Sequence, residues 1–270
     1  MPELPEVETT CKGIRPYLDH ATVTEWIVRE PRLRWPVSEE LNAIPSQSIL
    51  SVQRRAKYIL IHFSTGAALV HLGMSGSLRI ANPNEQWKKH DHIAITLSTG
   101  KQLRYHDPRR FGCWLWAGKQ PLEHPLLQSL GPEPIGEDFT ADYLFQRSRQ
   151  RKTPIKALIM DASIVVGVGN IYACEALHMA GIHPGREAGK ITRTRIQKLK
   201  DSIRQVLEHS ITQGGTTLRD FVREDGTPGY FKQQLRVYGR EGEACNQCQS
   251  RIRRIVQGQR STFFCPRCQS

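Results

Sequence analysis

The chain begins Met1-Pro2-Glu3-Leu4-Pro5-Glu6. A small residue after the initiator permits removal of methionine, and proline qualifies. Trimming would leave Pro2 with a free secondary amine. Such an amine attacks an electrophilic carbon and collapses to an iminium ion. An α-amino group titrates at about 8, so a useful fraction is unprotonated near neutrality. Glu3 and Glu6 stand close enough to move protons for it. Taken alone, the six residues read first as a disordered Pro-rich start. A second constellation lies at the other end, as Cys245-x2-Cys248-x16-Cys265-x2-Cys268. Two such knuckles place four thiolates around a tetrahedral ion, which suits one Zn2+. With all four positions cysteine, no coordination site is left for water, so the metal is structural. A segment this short folds only with its metal. The alternative is a redox dithiol pair.

The elements that must carry these residues are bounded by composition. A chain of 270 residues with 39% hydrophobic content can build two domains, or one with an appended module. Lys+Arg 38 against Asp+Glu 26 gives a formal net charge of +12 and a pI near 9.6. That balance points to a polyanion, nucleic acid first and anionic membrane second. No long apolar run and no signal-like start is present, which favours a cytoplasmic protein with no membrane partner. Cys11, Cys113 and Cys174 are scattered and read as packed small hydrophobes.

Residues 1 to about 130 read largely as β-structure. Strand-like stretches occur at Ile49–Val52, Tyr58–Phe63, Ala67–Leu72, His92–Leu97 and Gln102–Tyr105, with turns at Ser64-Thr65-Gly66 and Ser98-Thr99-Gly100. An early helix from about Glu6 to Leu18 sets Val7, Cys11, Ile14 and Leu18 on one face. Several short strands with turns suggest a sandwich or barrel. Leu130-Gly131-Pro132-Glu133-Pro134-Ile135-Gly136 reads as a linker. Beyond it the periodicity turns helical, over Asp142–Gln150, Pro154–Met160, Asn170–Ala180 and Thr192–Ser210.

The run Arg147, Arg149, Arg151, Lys152, Lys156 contains no acid, and reads as a solvated face or as phosphate contacts. Between Cys245 and the end stand five arginines and no acid, with Gln257-Gly258-Gln259 as a hairpin tip and Arg260 just past it. A basic hairpin beside a zinc knot suits phosphate, although a zinc ribbon can also serve protein contacts. Gln213 to Phe231, rich in Gly and Thr, reads as a loop of the kind that forms lids, or as a plain surface loop.

Together these segments resemble the bacterial formamidopyrimidine-DNA glycosylase family, also called 8-oxoguanine DNA glycosylase/AP lyase. The anchors are Pro2-Glu3-Leu4-Pro5-Glu6-Val7-Glu8, Arg54-Arg55-Ala56-Lys57-Tyr58, His71-Leu72-Gly73-Met74-Ser75-Gly76, Asp107-Pro108-Arg109-Arg110-Phe111-Gly112, Val168-Gly169-Asn170-Ile171-Tyr172 and the four cysteines. Endonuclease VIII-type siblings carry Gly where this chain has Leu4, so the resemblance favours the purine-lesion branch. It implies an α+β multi-domain protein. Residues 1–131 would form a catalytic N-terminal β-sandwich, and 132–150 a linker and the start of the helical part. Residues 151–235 would form a helix-two-turns-helix DNA-binding domain with the lesion loop, and 236–270 a zinc finger. DNA would lie in a cleft between the domains.

The resemblance also implies roles. Pro2 would attack the sugar C1′ of a flipped nucleotide, with Glu3 protonating the ring oxygen and Glu6 ordering the N-terminus. Lys57 would serve β-elimination and contact phosphate. Arg260 would assist δ-elimination, chiefly as a fixed charge, because a guanidinium is a poor acid. Met74, Arg109 and Phe111 would fill the vacated space, and Arg109 would hydrogen-bond the estranged cytosine. His71, His90, Arg151 and Asn170 would be the remaining DNA contacts, and a loop within 216–238 would cover the lesion base. His90 lies in Lys88-Lys89-His90-Asp91-His92, which has no second ligand pair and is not read as a metal site. The implied partner is double-stranded DNA containing an oxidised purine, bound by a monomer. Two rivals stand beside this: a relative acting on oxidised pyrimidines, and a non-catalytic zinc-ribbon DNA-binding protein.

Overall fold

The structure is a computed structural model that describes residues 2–215 and 235–270. Within them the chain divides into two compact units. One comprises residues 2–129 with 213–215, and the other residues 130–212 with 235–270. Most of the expected lesion loop, residues 216–234, lies outside the described residues.

The first unit opens with α1 (Leu4–Leu18). The helix begins two residues before its expected start at Glu6, because Glu3 supplies the N-cap and Pro5 fits the first turn, where an N–H is dispensable. Val7, Cys11, Ile14 and Leu18 are all buried. Eight antiparallel strands follow, β1 (Val23–Val28), β2 (Ser51–Arg55), β3 (Tyr58–Phe63), β4 (Gly66–His71), β5 (Ser77–Ala81), β6 (Asp91–Leu97), β7 (Gln102–His106) and β8 (Cys113–Trp116). They form two four-stranded sheets, ordered β1-β6-β7-β5 and β2-β3-β4-β8, giving a β-sandwich. Its core draws on both sheets and on α1, with Trp114 between Trp26 and Tyr105 at ring distances of 5.5 and 6.0 Å. Strands β1, β5 and β8 were not among the expected ones. The expected strand from Ile49 starts instead at Ser51.

The second unit holds α2 (Ala141–Ser148), α3 (Ile155–Met160), α4 (Asn170–Ala180) and α5 (Arg193–Thr212). These match the four expected helices, with ends displaced by up to two residues. Helix α4 is buried almost all round, as a central helix must be. It follows Gly169 and ends on Gly181, whose φ of 72° closes the helix in the left-handed region. The buried carboxylate of Glu175 accepts the backbone N–H groups of Arg236, Val237 and Tyr238 at 2.7, 3.0 and 2.9 Å, and so seats the chain entering the C-terminal module. That module is the hairpin β9 (Arg253–Gln257) and β10 (Arg260–Phe264). Its turn residues Gly258 and Gln259 have φ of 53° and 60°, the pattern of a tight two-residue hairpin. Among the described residues, no helix is long and apolar enough to cross a membrane.

Candidate active site

Pro2 is buried immediately before the first turn of α1. The Glu3 side chain accepts the Glu6 backbone N–H, and Glu6 Oε2 accepts the Glu3 N–H at 2.8 Å. This reciprocal cap satisfies two helix-end donors and leaves both carboxylates only 3% exposed. Two carboxylates are thereby fixed in the turn that follows the residue whose amine could act as nucleophile.

Lys57 sits in the two-residue turn joining β2 to β3, whose closing pair is Arg55 with Tyr58. Ala56 takes φ 55°, a strained value for a residue with a Cβ. The turn is tied to α1 by Arg54, which donates to Glu8 Oε2 at 2.8 Å and to the carbonyl of Ala56 at 2.9 Å. One guanidinium thus couples the helix that begins at Pro2 to the turn bearing Lys57.

His71 ends β4. Its Nδ1 accepts the Gly73 N–H at 3.0 Å, which leaves the proton on Nε2. Burial, then the charges of Lys57 and Arg34, push its pKa down to about 4, so the ring is a neutral donor near pH 7. Met74 follows at the tip of the next loop, 38% exposed, and Phe111 is 44% exposed on another. The Arg109 guanidinium lies over the Phe111 ring, 4.6 Å from its centre. The two loops meet at Gly73, where a Cβ would fall 2.5 Å from Phe111 C and Gly112 N, so only glycine permits the approach. Met74, far in sequence from Arg109 and Phe111, is therefore brought beside their loop. The carboxylate of Asp107 takes hydrogen bonds from both loops. His90 accepts the Asp107 N–H with its carbonyl at 3.0 Å, and its ring stands edge-on to His92 and His106. Asp91 accepts from His106 Nδ1 at 2.9 Å and from both terminal nitrogens of Arg79 at 2.7 Å. Among the described residues these histidines form no group able to hold a metal.

In the second unit Asn170 heads α4. Its Nδ2 donates to the Ser261 carbonyl at 2.9 Å, and its Oδ1 accepts from Lys156 Nζ. Lys156, only 2% exposed, also donates to Thr262 Oγ1 at 2.6 Å. A cavity of about 430 Å³ is lined by Lys156, Gln257 and Arg260 among others, so the hairpin tip and α3 share one basic hollow. The basic run divides. Arg147, Arg151 and Lys152 are exposed, Arg149 bonds the carbonyls of Ala188 and Ile191, and Lys156 is the buried bridge just described. Sequence reasoning gave Lys156 no role apart from that run.

Cys245, Cys248, Cys265 and Cys268 bring their sulfurs within 4.8 Å of one another. Cys245 and Cys268 Sγ lie 3.9 Å apart, and Cys248 and Cys265 Sγ 3.4 Å. Tetrahedral zinc with bonds of about 2.3 Å requires sulfur spacings of about 3.8 Å, so the set fits Zn2+. His178 Nε2, on α4, is 3.6 Å from Cys245 Sγ and can donate to that thiolate. Cys11 and Cys113 are buried and their thiols are pushed up to about 12, chiefly by that burial, so they are packed and unreactive.

Comparison with known proteins accounts for this combination. Residues 1–114 match the formamidopyrimidine-DNA glycosylase N-terminal domain, residues 130–222 its H2TH domain, and residues 242–270 the zinc finger found in FPG and IleRS. The formamidopyrimidine-DNA glycosylase of Thioalkalivibrio sulfidiphilus is 58% identical over 270 residues, covering all of both chains. The chain belongs to the formamidopyrimidine-DNA glycosylase family. A Lactococcus lactis FPG mutant in complex with Fapy-dG containing DNA superposes with a TM-score of 0.93 at 33% identity, covering 100% of each chain. The Lactococcus lactis Fpg complex with abasic site containing DNA gives 0.92 at 32% identity over 99% of each. As a formamidopyrimidine-DNA glycosylase, the chain is a DNA-repair enzyme, both glycosylase and abasic-site lyase, with a structural zinc finger. Beyond the roles that the motifs imply, the structure gives Glu8, Arg54, Asp107, Lys156 and Glu175 partners that lie too distant along the chain for any local pattern to pair them.

Proposed function

We propose that this chain excises oxidised purines from double-stranded DNA through a Schiff base on Pro2 and then cuts the abasic site by β,δ-elimination. The reading is supported most by the start of α1, where Pro2 is buried and the next residue, Glu3, is locked with Glu6 in a reciprocal cap. Once Met1 is removed, the amine nitrogen attacks C1′ of the flipped nucleotide, and the bond to the oxidised base breaks. Glu3 delivers a proton to the sugar ring oxygen as the ring opens, and C1′ becomes an iminium carbon. Glu6 holds the Glu3 backbone throughout. The iminium acidifies the adjacent C2′–H, and loss of that proton expels the 3′ phosphate. A second elimination expels the 5′ phosphate. Lys57 supplies the proton for the first elimination and a phosphate contact, and Arg260 stabilises the phosphate of the second.

Met74, Arg109 and Phe111 occupy the space left by the flipped nucleotide, with Arg109 on the estranged cytosine. His71, His90, Arg151 and Asn170 hold phosphates. In this scheme residues 1–131 carry the chemistry, 132–150 begin the helical part, and 151–235 with the finger at 236–270 grip DNA.

The test is borohydride trapping. Met1-trimmed protein is incubated with an 8-oxoguanine:cytosine duplex, and the crosslinked peptide is mapped by mass spectrometry. The expected result is one adduct on Pro2, absent with undamaged DNA and strongly diminished in Glu3→Gln. Binding without any adduct would overturn the Pro2 assignment. An adduct only with an oxidised pyrimidine would overturn the purine assignment.

A further inference from the structure

We propose that Asp107 is the positioning residue that holds Met74, Arg109 and Phe111 in register for reading the base opposite the lesion. The inference rests on the assignment of those three side chains as the ones entering the duplex. Asp107 is fully buried. Its Oδ1 accepts the Ser75 hydroxyl at 3.1 Å and the Arg109 N–H at 3.3 Å. Its Oδ2 accepts the Tyr105 hydroxyl at 2.9 Å and the Gly112 N–H at 2.9 Å. Ser75 follows Met74, Arg109 donates from its own backbone, and Gly112 follows Phe111. Each of the three projecting residues is therefore at most one residue from a bond to this carboxylate.

The Asp107 backbone is fixed as well. Its N–H donates to His90 O at 3.0 Å, and His92 Nε2 lies 2.8 Å from its carbonyl oxygen. The strands on either side end before the loops begin, so regular pairing does not set the loop tips. A buried carboxylate is costly unless its lone pairs are filled, and here four donors fill them. Both oxygens are required. In Asp107→Asn one position becomes NH2, and each position faces a backbone N–H, of Arg109 on one side and Gly112 on the other. Hydroxyls can rotate to adapt, but backbone N–H groups cannot. The amide must therefore release one anchor in either orientation. Loss of an anchor displaces side chains that need placement to within about 0.5 Å to act.

The experiment uses the full-length, zinc-loaded, Met1-trimmed chain. Two quantities are measured: the ratio of kcat/KM for 8-oxoguanine opposite cytosine to that opposite adenine, and cleavage of single-stranded abasic DNA, which has no opposite base. Asp107→Asn is expected to lower the ratio about tenfold, the worth of one good base contact, with single-strand cleavage unchanged. Arg109→Ala should lower the ratio similarly, and the double variant should fall no further. An unchanged ratio in Asp107→Asn, with Arg109→Ala lowering it, would overturn the role of Asp107 alone. An unchanged ratio in Arg109→Ala would overturn the assignment of Arg109, and this inference with it. If Asp107→Asn loses single-strand cleavage through misfolding, Ser75→Ala decides. It removes the hydroxyl bond by which the carboxylate holds the Met74 loop and spares both backbone anchors, so a lowered ratio with single-strand cleavage intact supports the proposal, whereas a wild-type ratio overturns it.

Discussion

His71 shows how one hydrogen bond decides what a side chain can contribute. Its Nδ1 is committed to the Gly73 N–H, and burial holds the ring neutral down to about pH 4. Toward DNA it can offer only a neutral Nε2–H. The same shift carries a signature in stability. The unfolded chain binds a proton on this residue below its ordinary value of 6.5, while the folded chain refuses it until about 4. The contribution is therefore complete above pH 6.5 and is lost as pH falls from there toward 4. Glutamine at this position can still accept from Gly73 but does not titrate. Urea midpoints measured between pH 7 and 4 should fall less steeply for His71→Gln than for the wild type. Parallel pH profiles would show that the ring is not held neutral.

At the level of elements, the first unit depends on ties between segments that the strand ladders do not join. Arg54 is one, linking α1 through Glu8 to the turn at Ala56 and Lys57, with side chains only 6% and 15% exposed. Arg54→Met should cost about 1–3 kcal/mol by leaving a largely buried carboxylate short of a partner. It should also slow strand scission at a preformed abasic site, because the Lys57 turn loses its brace. Chemical denaturation and scission assays check the two halves separately. The zinc module depends on another kind of tie. Chelation should raise hydrogen exchange through β9 and β10, while the sandwich keeps its protection. Protection lost equally in the sandwich would contradict this independence.

These ties also explain what the sequence disclosed. Helix α1 was legible because Val7, Cys11, Ile14 and Leu18 repeat at helical spacing, and the hairpin tip because Gly258 marks it. Strands β1 and β5 were not. Each is a sheet edge of mixed burial, and β5 carries Arg79, acceptable there only because Asp91 on β6 receives it. The residues proposed to react lie in local motifs, which is why the sequence alone could propose them. Their supports, Asp107 and Glu175 among them, work through partners set by the fold.

On the scale of the whole molecule, the net charge of +12 is unevenly spread, since residues 235–270 carry seven arginines against two acids. That segment holds the hairpin tip with Arg260 and the exposed Arg253 and Arg254. A polyanion held by fixed cations gives an affinity that falls with salt, because each neutralised phosphate releases condensed counterions. The slope of log affinity against log salt then counts ionic contacts. Residues proposed to touch phosphate fall into two classes on this measure. Lys57, Arg151 and Arg260 are cations, and replacing any one with alanine should make the slope shallower by about 0.9. His71 is a neutral donor, so His71→Gln should weaken binding at every salt concentration without changing the slope. Asn170→Ala should behave like the histidine variant, since its amide is uncharged and already shared with Lys156 and Ser261. Fluorescence anisotropy with a non-cleavable abasic duplex across a salt series reads all five variants. A slope change in His71→Gln matching that in Lys57→Ala would mean that DNA binding protonates the ring. An unchanged slope in Arg260→Ala would remove the hairpin tip from the phosphate contacts.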